Sequence, residues 1–259
     1  MTTVRASSLI SGLKRYGPLG VAAHLISRSG LARVVKDFLD LCFDLRYGTR
    51  TFGVLPLENL NIDSQRKSEG EFYVATPHYE FNSIIRQLEI DPANYTFVDQ
   101  GCGKGRVLVY ATQLGFRRII GIEFSPELAE TARHNVQRIS KRGDKHVEVI
   151  TGDAAELRIP LEPCVLFFFN PFSQAVTASV LTRIKEAYDC GNRDFYVIWY
   201  NVTNNATPLF KAQWLEILFD ESTHSRQGSF LRTCNFRLPY VIFTPRPTPE
   251  PPATALERD

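Results

Sequence analysis

A run of alternating glycines follows an acidic residue in the middle of the chain. The run reads DQGCGKG, from Asp99 to Gly105, and its other glycines are Gly101 and Gly103. Glycine at this spacing lets backbone approach a ligand closely, because no Cβ atom stands in the way. A helix that begins directly after the run would direct its amides and its positive end at an anionic group. The run therefore indicates a cradle for a nucleotide-like or otherwise anionic ligand.

Two common glycine-loop sites fit this run poorly. A phosphate-binding P-loop has the pattern GxxxxGK[ST], whereas Lys104 is followed by Gly105, so we expect Lys104 to face solvent. A dinucleotide fingerprint needs a small residue at the sixth position of GxGxxG or GxGxxA. Counted from Gly101 that position holds Arg106, and counted from Gly103 it holds Leu108. A nicotinamide-dependent oxidoreductase stays an alternative, although the large residue at the sixth position fits the dinucleotide motif poorly.

Three further polar motifs follow apolar runs that have the length of strands. Glu123 closes RIIGIE, Asp153 follows HVEVIT, and Asn170 follows CVLFFF. Helix-like segments separate these runs, which predicts a Rossmann-like, doubly wound α/β fold with a mostly parallel, seven-stranded sheet and helices on both faces. The predicted strands are 95–99, 118–123, 146–151, 164–169, 195–200, 215–219 and 239–243.

The predicted sheet brings these polar residues to one place. In open parallel sheets, ligands bind outside the carboxyl ends of the strands, where the strand order reverses. Asp99, Glu123, Asp153 and Asn170 all stand at such ends. The run CVLFFF is apolar on both faces, which is typical of a strand in the centre of the sheet. We therefore expect one binding site built from four successive strands.

These motifs, in this order, resemble those of the class I S-adenosylmethionine-dependent methyltransferases over roughly residues 76–243. More narrowly, the chain is similar to bacterial methyltransferase-domain proteins with a GxGxG motif I and an NPF motif IV. The resemblance implies in-line transfer of a methyl group from S-adenosyl-L-methionine to an acceptor. It also implies the residues that hold the cofactor, namely Asp99, Gly101, Cys102, Gly103, Gly105, Glu123, Phe124, Asp153, Ala154 and Asn170.

The same resemblance gives individual roles to these residues. Asp99 would meet the methionine ammonium, and Glu123 would accept hydrogen bonds from both ribose hydroxyls. Phe124 and Ala154 would enclose the adenine, and Asp153 would accept from its amino group. Each carboxylate also has a structural alternative, as a loop cap, a strand exit or a turn residue.

The acceptor side is predicted from the NPF motif. Asn170, Pro171 and Phe172 resemble the (Asp/Asn)-Pro-Pro-aromatic motif of amino-methylating enzymes, so they are the candidate catalytic residues. One proline of that motif is missing, so Phe172 comes one position early, and a place in the core is the alternative for its ring. A hydroxyl acceptor would also need a base. Three residues before motif I are candidates by location, namely Tyr73, His78 and Glu80.

Composition and charge limit the classes of partner. The 259 residues carry a net charge of +2, which is no overall nucleic-acid signature, so the acceptor is expected to be a small molecule or a protein. Five scattered cysteines without a CxxC pair argue for a reducing, cytoplasmic compartment and against a metal site. No run of 18 apolar residues is present, which argues against a transmembrane segment.

The chain divides into three predicted parts. Residues 1–72 form a helical segment and an irregular linker, 73–244 form the methyltransferase domain, and 245–259 form a disordered, proline-rich tail. Residues 1–50 carry a net charge of +5, so peripheral contact with a membrane or a partner, as a non-catalytic binding module, is a further alternative. We also expect the N-terminal helices to cover the acceptor pocket.

Overall fold

The computed structural model describes residues 31–53, 76, 78–140, 146–221 and 238–247. The predictions for residues 1–30, for Tyr73 and for the chain from 248 onward lie outside these ranges. Six helices lie wholly within them: α1 (Leu31–Tyr47), α2 (His78–Arg86), α3 (Arg106–Leu114), α4 (Pro126–Ser140), α5 (Gln174–Asp189) and α6 (Thr207–Lys211). The strands are β1 (Thr96–Gln100), β2 (Arg118–Glu123), β3 (His146–Thr151), β4 (Cys164–Phe169), β5 (Phe195–Tyr200), β6 (Leu215–Asp220) and β7 (Tyr240–Pro245).

The strands form one seven-stranded sheet in the order β3-β2-β1-β4-β5-β7-β6. Strands β1 to β5 pair in parallel, and β7 runs antiparallel between β5 and β6. Strand β1 lies between β2 and β4, so the order reverses beside it, where open sheets bind ligands. The mostly parallel, doubly wound fold is confirmed, and β4 is the central strand, as its apolar sequence predicts.

Both faces of the sheet are covered by helices. On one face α2, α3 and α4 pack over a cluster that includes Phe81, whose ring centroid lies 5.5 Å from those of Phe97 and Phe167. On the other face α5 and α6 pack over a second cluster, in which the Trp199 and Phe168 rings stack at 5.2 Å. Close packing of this kind leaves little freedom to the strands, so their carboxyl ends hold fixed positions.

Small differences from the predicted bounds have local causes. Strands β2 to β5 have the predicted bounds, whereas β1 begins one residue late because the Tyr95 amide caps a short 3₁₀ turn. Helix α3 begins at Arg106 because Gly105 adopts a left-handed φ of 79°. Strand β7 runs to Pro245, which pairs with Leu215, so the sheet includes the first residue of the predicted tail.

Helix α1 presents its apolar stripe outward. Val34, Phe38, Leu41 and Leu45 are between 48% and 75% exposed. The opposite side is buried against α3, where Asp40 pairs with Arg106 and the Phe43 ring meets that of Tyr110, and Asp44 on that side binds the chain after α1. The described part of the N-terminal segment therefore lies beside the glycine loop, and the expected cover over the acceptor pocket stays a prediction. No helix in the described ranges has the length and apolar character needed to cross a membrane.

Candidate active site at the carboxyl ends of the strands

The glycine loop turns sharply out of β1. The amides of Gly101 and Cys102 both donate to the carbonyl of Ile122 at 2.9 Å, and Gly101, Gly103 and Gly105 all have positive φ. A Cβ atom on Gly101 would lie 2.8 Å from Pro171 Cβ, and one on Gly105 would lie 3.0 Å from Ala132 Cβ. These two glycines are therefore required by packing within the protein as well as by their backbone conformation.

Glu123 joins this loop to the end of β2. Its Oε2 accepts a hydrogen bond from the Gly103 amide at 2.9 Å, and its Oε1 accepts one from the Ser125 amide at 2.9 Å. The side chain is 4% exposed. Burial raises the pKa of Glu123 to about 7, although the hydrogen bonds from Ser125, Gly103 and Phe124 act in the opposite direction. These amides use most of the hydrogen-bonding capacity of the carboxylate, and the remainder is open to a ligand donor.

Asp99 is a second buried carboxyl beside Glu123. It is 3% exposed, and burial followed by the charge of Glu123 raises its pKa well above the ordinary value. No hydrogen bond from a described residue offsets these two effects. Two acidic groups in one buried place, without a cation from the described residues, form a site that favours a bound positive charge.

Cys102 acts as a small residue under the loop. Its Sγ would lie 2.8 Å from a Cβ atom on Gly121 of β2, so the two residues fit only because one has no side chain. Burial, then the charges of Asp99 and Glu123, raise the pKa of the Cys102 thiol well above its ordinary value. The thiol therefore stays neutral, which argues against a nucleophilic role. The described residues contain no group of three His, Cys, Asp or Glu side chains suited to a metal ion.

The ends of β2 and β3 lie side by side. The Gly152 amide donates to the carbonyl of Glu123 at 3.0 Å, which brings Phe124 and Ala154 to one edge of the sheet. Phe124 is half-buried and Ala154 is buried. Asp153 caps the following 3₁₀ turn, because its Oδ1 accepts from the Ala155 amide at 2.8 Å. The predicted adenine-side residues are thus adjacent, and Asp153 also has the structural role that was its alternative.

Asn170 ends β4 in a strained conformation. Its φ is 40°, in the left-handed region that non-glycine residues rarely adopt. Its Oδ1 accepts hydrogen bonds from Thr203 Oγ1 at 2.8 Å and from Asn205 Nδ2 at 3.4 Å. Both partners follow β5, and Asn201 between them and the strand also has a positive φ of 62°. Strained residues at neighbouring strand ends are typical of functional sites.

Sequence reasoning missed this second polar cluster. The signal was present in the stretch NVTNN, residues 201–205, which follows β5 at the same edge of the sheet. Pro171 packs against Gly101, and Phe172 is buried with its ring edge-on to Phe168 at 6.3 Å. Phe172 thus lies in the second core cluster, while Asn170 meets the polar groups that follow β5.

Glu80 is brought to the same end of the sheet. It is buried on α2 and accepts a short hydrogen bond from the hydroxyl of Tyr200, the last residue of β5. Tyr200 pairs in register with Phe169, the residue before Asn170. The Glu80 side chain thus lies beside the end of β5, next to the strand end that carries the predicted acceptor residues.

Two residues of the glycine loop bind the N-terminal segment. Arg106 is 2% exposed, forms an ion pair with Asp40, and donates from Nε to Thr51 Oγ1 at 2.7 Å. Lys104, which we expected to face solvent, instead donates from Nζ to the carbonyl of Phe52 at 2.9 Å, and burial lowers its pKa. Lys104 is half-buried and partly faces solvent, and its bond to Phe52 was not predicted because the sequence does not reveal which distant backbone carbonyl is near.

The part of the chain that carries these strand ends is similar to known proteins. A family model described as "Methyltransferase domain" matches residues 97–190, which include the glycine loop and the ends of β2, β3 and β4. The chain is 43% identical over 49 residues to the ribosomal protein L11 methyltransferase of Tolumonas auensis, covering 19% of this chain and 17% of that protein. It is 24% identical over 137 residues to that of Klebsiella pneumoniae subsp. pneumoniae, covering 51% and 46%. The chain thus spans less than half of either relative.

Solved structures give a weaker likeness. An RNA methyltransferase from Salinibacter ruber in complex with S-adenosyl-L-homocysteine is 18% identical, with 69% of this chain and 98% of that chain covered and a TM-score of 0.45. The methyltransferase yhhF from Escherichia coli is 11% identical, with 76% and 100% covered and a TM-score of 0.49. Residues 97–190 therefore resemble a methyltransferase domain, and they cover nearly all of the first four strands of the doubly wound sheet described above.

Proposed function

We propose that the protein is an S-adenosyl-L-methionine-dependent methyltransferase whose cofactor binds across the carboxyl ends of β1 and β2. The observation that carries this proposal is the pair of buried carboxyls, Asp99 and Glu123, on either side of a glycine loop. Burial raises the pKa of both carboxyls, and no cation from the described residues offsets this effect at either of them. A ligand that brings both a cation and vicinal hydroxyls to this place complements the pair.

The residues present fit the methionine part of that cofactor. An ammonium group beside Asp99 would supply a positive charge, which lowers the pKa of that carboxyl and favours its ionised form. The loop amides and the amino end of α3 would favour the cofactor carboxylate, as helix starts favour anions. Gly103 would let the loop backbone approach the cofactor closely, while Gly101 and Gly105 let the loop pack against Pro171 and Ala132.

The ribose and adenine would lie toward β2 and β3. Glu123 would accept hydrogen bonds from the two ribose hydroxyls with the capacity that the surrounding backbone amides leave unused. Phe124 and Ala154 would enclose the adenine. Asp153 would accept from the adenine amino group through Oδ2, because its Oδ1 already caps the next turn.

The chemistry needs positioning more than it needs acid or base catalysis. When bound, the sulfonium cofactor supplies an electrophilic methyl group. The protein then has to hold an acceptor atom in line with that methyl group and to exclude water. Asn170 and Pro171 would form the acceptor wall, with Phe172 packed behind them and Thr203 and Asn205 fixing the Asn170 side chain. A hydroxyl acceptor would give its proton to Glu80 or to solvent.

The chemical nature of the acceptor is a separate part of the proposal. The net charge of +2 disfavours a nucleic acid, so we propose a protein or a small molecule. The relatives named above are ribosomal protein L11 methyltransferases, which makes a protein acceptor the first to test. Because the two left-handed asparagines lie at a strongly polar edge, the acceptor atom should carry hydrogen-bond donors.

Isothermal titration with S-adenosyl-L-homocysteine tests the cofactor assignment directly. We expect a one-to-one complex with the full chain, and loss of most affinity in Glu123→Ala and Gly103→Arg variants that remain folded by circular dichroism. No heat of binding with the wild type, together with thermal stabilisation by NADH, would favour an oxidoreductase instead. Incubation of the protein with methyl-labelled cofactor and fractions of a cell lysate would then separate protein, small-molecule and nucleic-acid acceptors.

A further inference from the structure

We propose that residues 40–52, here called the N-terminal brace, set the geometry of the glycine loop, so that Asp40, Thr51 and Arg106 are positioning residues for the cofactor. This inference rests on the proposed function, because the ligand of the loop is the proposed cofactor. It concerns residues that contact neither the cofactor nor the acceptor and that no glycine-loop motif contains.

The first support is the partner set of Arg106. This side chain directly follows Gly105 and is almost fully buried, although it is charged. Its guanidinium pairs with the Asp40 carboxylate, donates to Thr51 Oγ1 at 2.7 Å, and lies 4.8 Å above the Phe43 ring. A buried charge held by three groups has one defined position, since loss of any partner leaves it poorly compensated. The brace therefore fixes the residue on one side of Gly105.

The second support is the partner set of Lys104, on the other side of Gly105. Its Nζ donates to the Phe52 carbonyl at 2.9 Å, and its own carbonyl accepts from Asn135 Nδ2 at 2.9 Å. Asn135 Oδ1 in turn accepts from the Arg50 amide at 2.9 Å. The loop, α4 and the brace are thereby connected in one hydrogen-bonded chain.

The third support is the internal order of the brace. The Asp44 carboxylate accepts hydrogen bonds from both Thr49 and Thr51 hydroxyls at 2.7 Å, and from the Thr51 and Phe52 amides at 2.7 to 2.9 Å. Arg138 adds a contact from α4 to the Gly48 carbonyl at 2.6 Å. A segment with this many bonds to one carboxylate is a rigid support, not a loose linker.

The consequence for the cofactor site follows from the spacing of these contacts. Lys104 and Arg106 are both held by the brace, and Gly103 next to them donates its amide to Glu123. If the brace is loosened, the loop backbone can move at Gly105. The Gly103 amide is then no longer held in one position relative to the Glu123 carboxylate that it donates to. The proposed ribose-binding carboxylate and the methionine-binding loop would then no longer be held in one arrangement.

Two conservative variants loosen the brace without changing the site itself. Thr51→Val keeps the shape of the side chain but removes the hydroxyl that joins Asp44 to Arg106. Asp40→Asn keeps an acceptor oxygen but removes the charge that compensates Arg106. We expect each variant to weaken S-adenosyl-L-homocysteine about tenfold in isothermal titration, an effect the size of one lost hydrogen bond.

A second measurement needs no cofactor. Cys102 lies in the glycine loop and Cys164 at the start of β4, and both thiols are buried. Alkylation by iodoacetamide, followed by peptide mass spectrometry, therefore reports loop opening at Cys102 and opening of the sheet at Cys164. We expect Thr51→Val and Asp40→Asn to accelerate modification of Cys102 about tenfold and to leave Cys164 unchanged.

Tyr240→Phe is the matched control, because it removes a part-buried hydrogen bond that Gln87 donates at 2.7 Å to a hydroxyl on strand β7, away from the loop. It should change neither measurement. The inference is overturned if Cys102 and the affinity stay at wild-type values in both brace variants, if Cys102 opens without loss of affinity, or if Cys164 accelerates equally. A wild-type protein that binds no S-adenosyl-L-homocysteine would overturn the proposed function, while the alkylation rates would still decide whether the brace holds the loop.

Discussion

The Glu123 carboxylate accepts a hydrogen bond from the Gly103 amide at 2.9 Å, from a residue 20 positions earlier in the chain. This single contact ties the loop that follows β1 to the end of β2. The same carboxylate accepts from the Ser125 amide at the start of α4. Glu123 is thus a structural group of the loop and a proposed ligand group for the ribose at once, and its replacement should affect both properties.

Replacement of Glu123 by alanine should reduce affinity for S-adenosyl-L-homocysteine about a hundredfold or more. The change removes two proposed hydrogen bonds to a charged acceptor and leaves the Gly103 and Ser125 amides without their partner. Isothermal titration measures the effect. Glu127→Ala, which removes an exposed carboxylate from the first turn of α4, is the control and should bind as the wild type does. Equal affinity in both variants would contradict the assigned role.

Affinity for S-adenosyl-L-homocysteine should rise with pH around neutrality. Burial raises the pKa of Glu123 from 4.5 to about 7, so the folded protein holds a proton that the unfolded chain loses above pH 4.5. The stability that this group contributes is complete below pH 4.5 and is lost as pH rises through 7. Ligand hydroxyls favour the ionised form, so binding releases a proton.

Titrations in two buffers with different ionisation enthalpies detect that release. At about pH 6.5 the binding heat should differ between the buffers, and from about pH 6 to pH 8 the affinity should increase. In Glu123→Gln, ligand binding no longer releases a proton from position 123. The pH dependence that remains belongs to Asp99, whose pKa is also raised. Identical heats in both buffers for the wild type would rule out this linkage.

Gly105→Ala should destabilise the protein more than Gly115→Ala. Both glycines have positive φ, 79° and 89°, so both substitutions impose backbone strain of about 1 kcal/mol or more. Only at Gly105 would the new Cβ also lie 3.0 Å from Ala132 Cβ, whereas nothing lies within 4 Å at Gly115. Thermal denaturation compares the two variants. An equal loss of stability would mean that α3 and α4 separate easily at this point.

Phe81→Ala should reduce the free energy of unfolding by about 3–5 kcal/mol. The ring is fully buried and meets Phe97 and Phe167 edge-on, so truncation leaves a cavity under α2. Phe210→Ala removes a ring of the same size that is 46% exposed, and it should cost less than about half as much. Urea denaturation measures both values. A mild effect at Phe81 would show that α2 contributes little to the core.

Asn170→Ala should lower methyl transfer while it leaves cofactor affinity nearly unchanged. The variant removes the oxygen that Thr203 and Asn205 hold in place, on the acceptor side of the site. Transfer of labelled methyl groups to the active lysate fraction should fall about tenfold or more. Affinity for S-adenosyl-L-homocysteine should stay within about threefold of the wild type. Thr203→Val should reproduce part of the loss, and the opposite pattern would place Asn170 on the cofactor side.

Local pattern was enough to predict most of the sheet. A strand such as Cys164–Phe169 is a continuous apolar run between helical segments. The length of the run predicts the bounds of the strand, and its apolar character on both faces predicts a central position in the sheet. The residues at the strand ends were found because the topology of an open sheet brings those ends together. What remained hidden depends on long-range pairing. Arg106 binds Asp40, which is 66 residues away in the sequence, and Asn170 binds Thr203, which is 33 residues away. Hydrophobic periodicity carries no information about such partners.

The order of synthesis has a consequence for how the sheet is completed. Strand β6 is synthesised before β7. In the sheet, however, β7 lies between β5 and β6, so β6 can pair with the sheet only after β7 has been made. A growing chain on the ribosome can therefore assemble β1 to β5 early, while the open edge of β5 and the unpaired β6 wait for residues 240–245. Exposed strand edges attract other chains. Slow translation or a stop before residue 240 would thus yield a nascent protein that is prone to aggregation, even though every group of the proposed cofactor site had already been made.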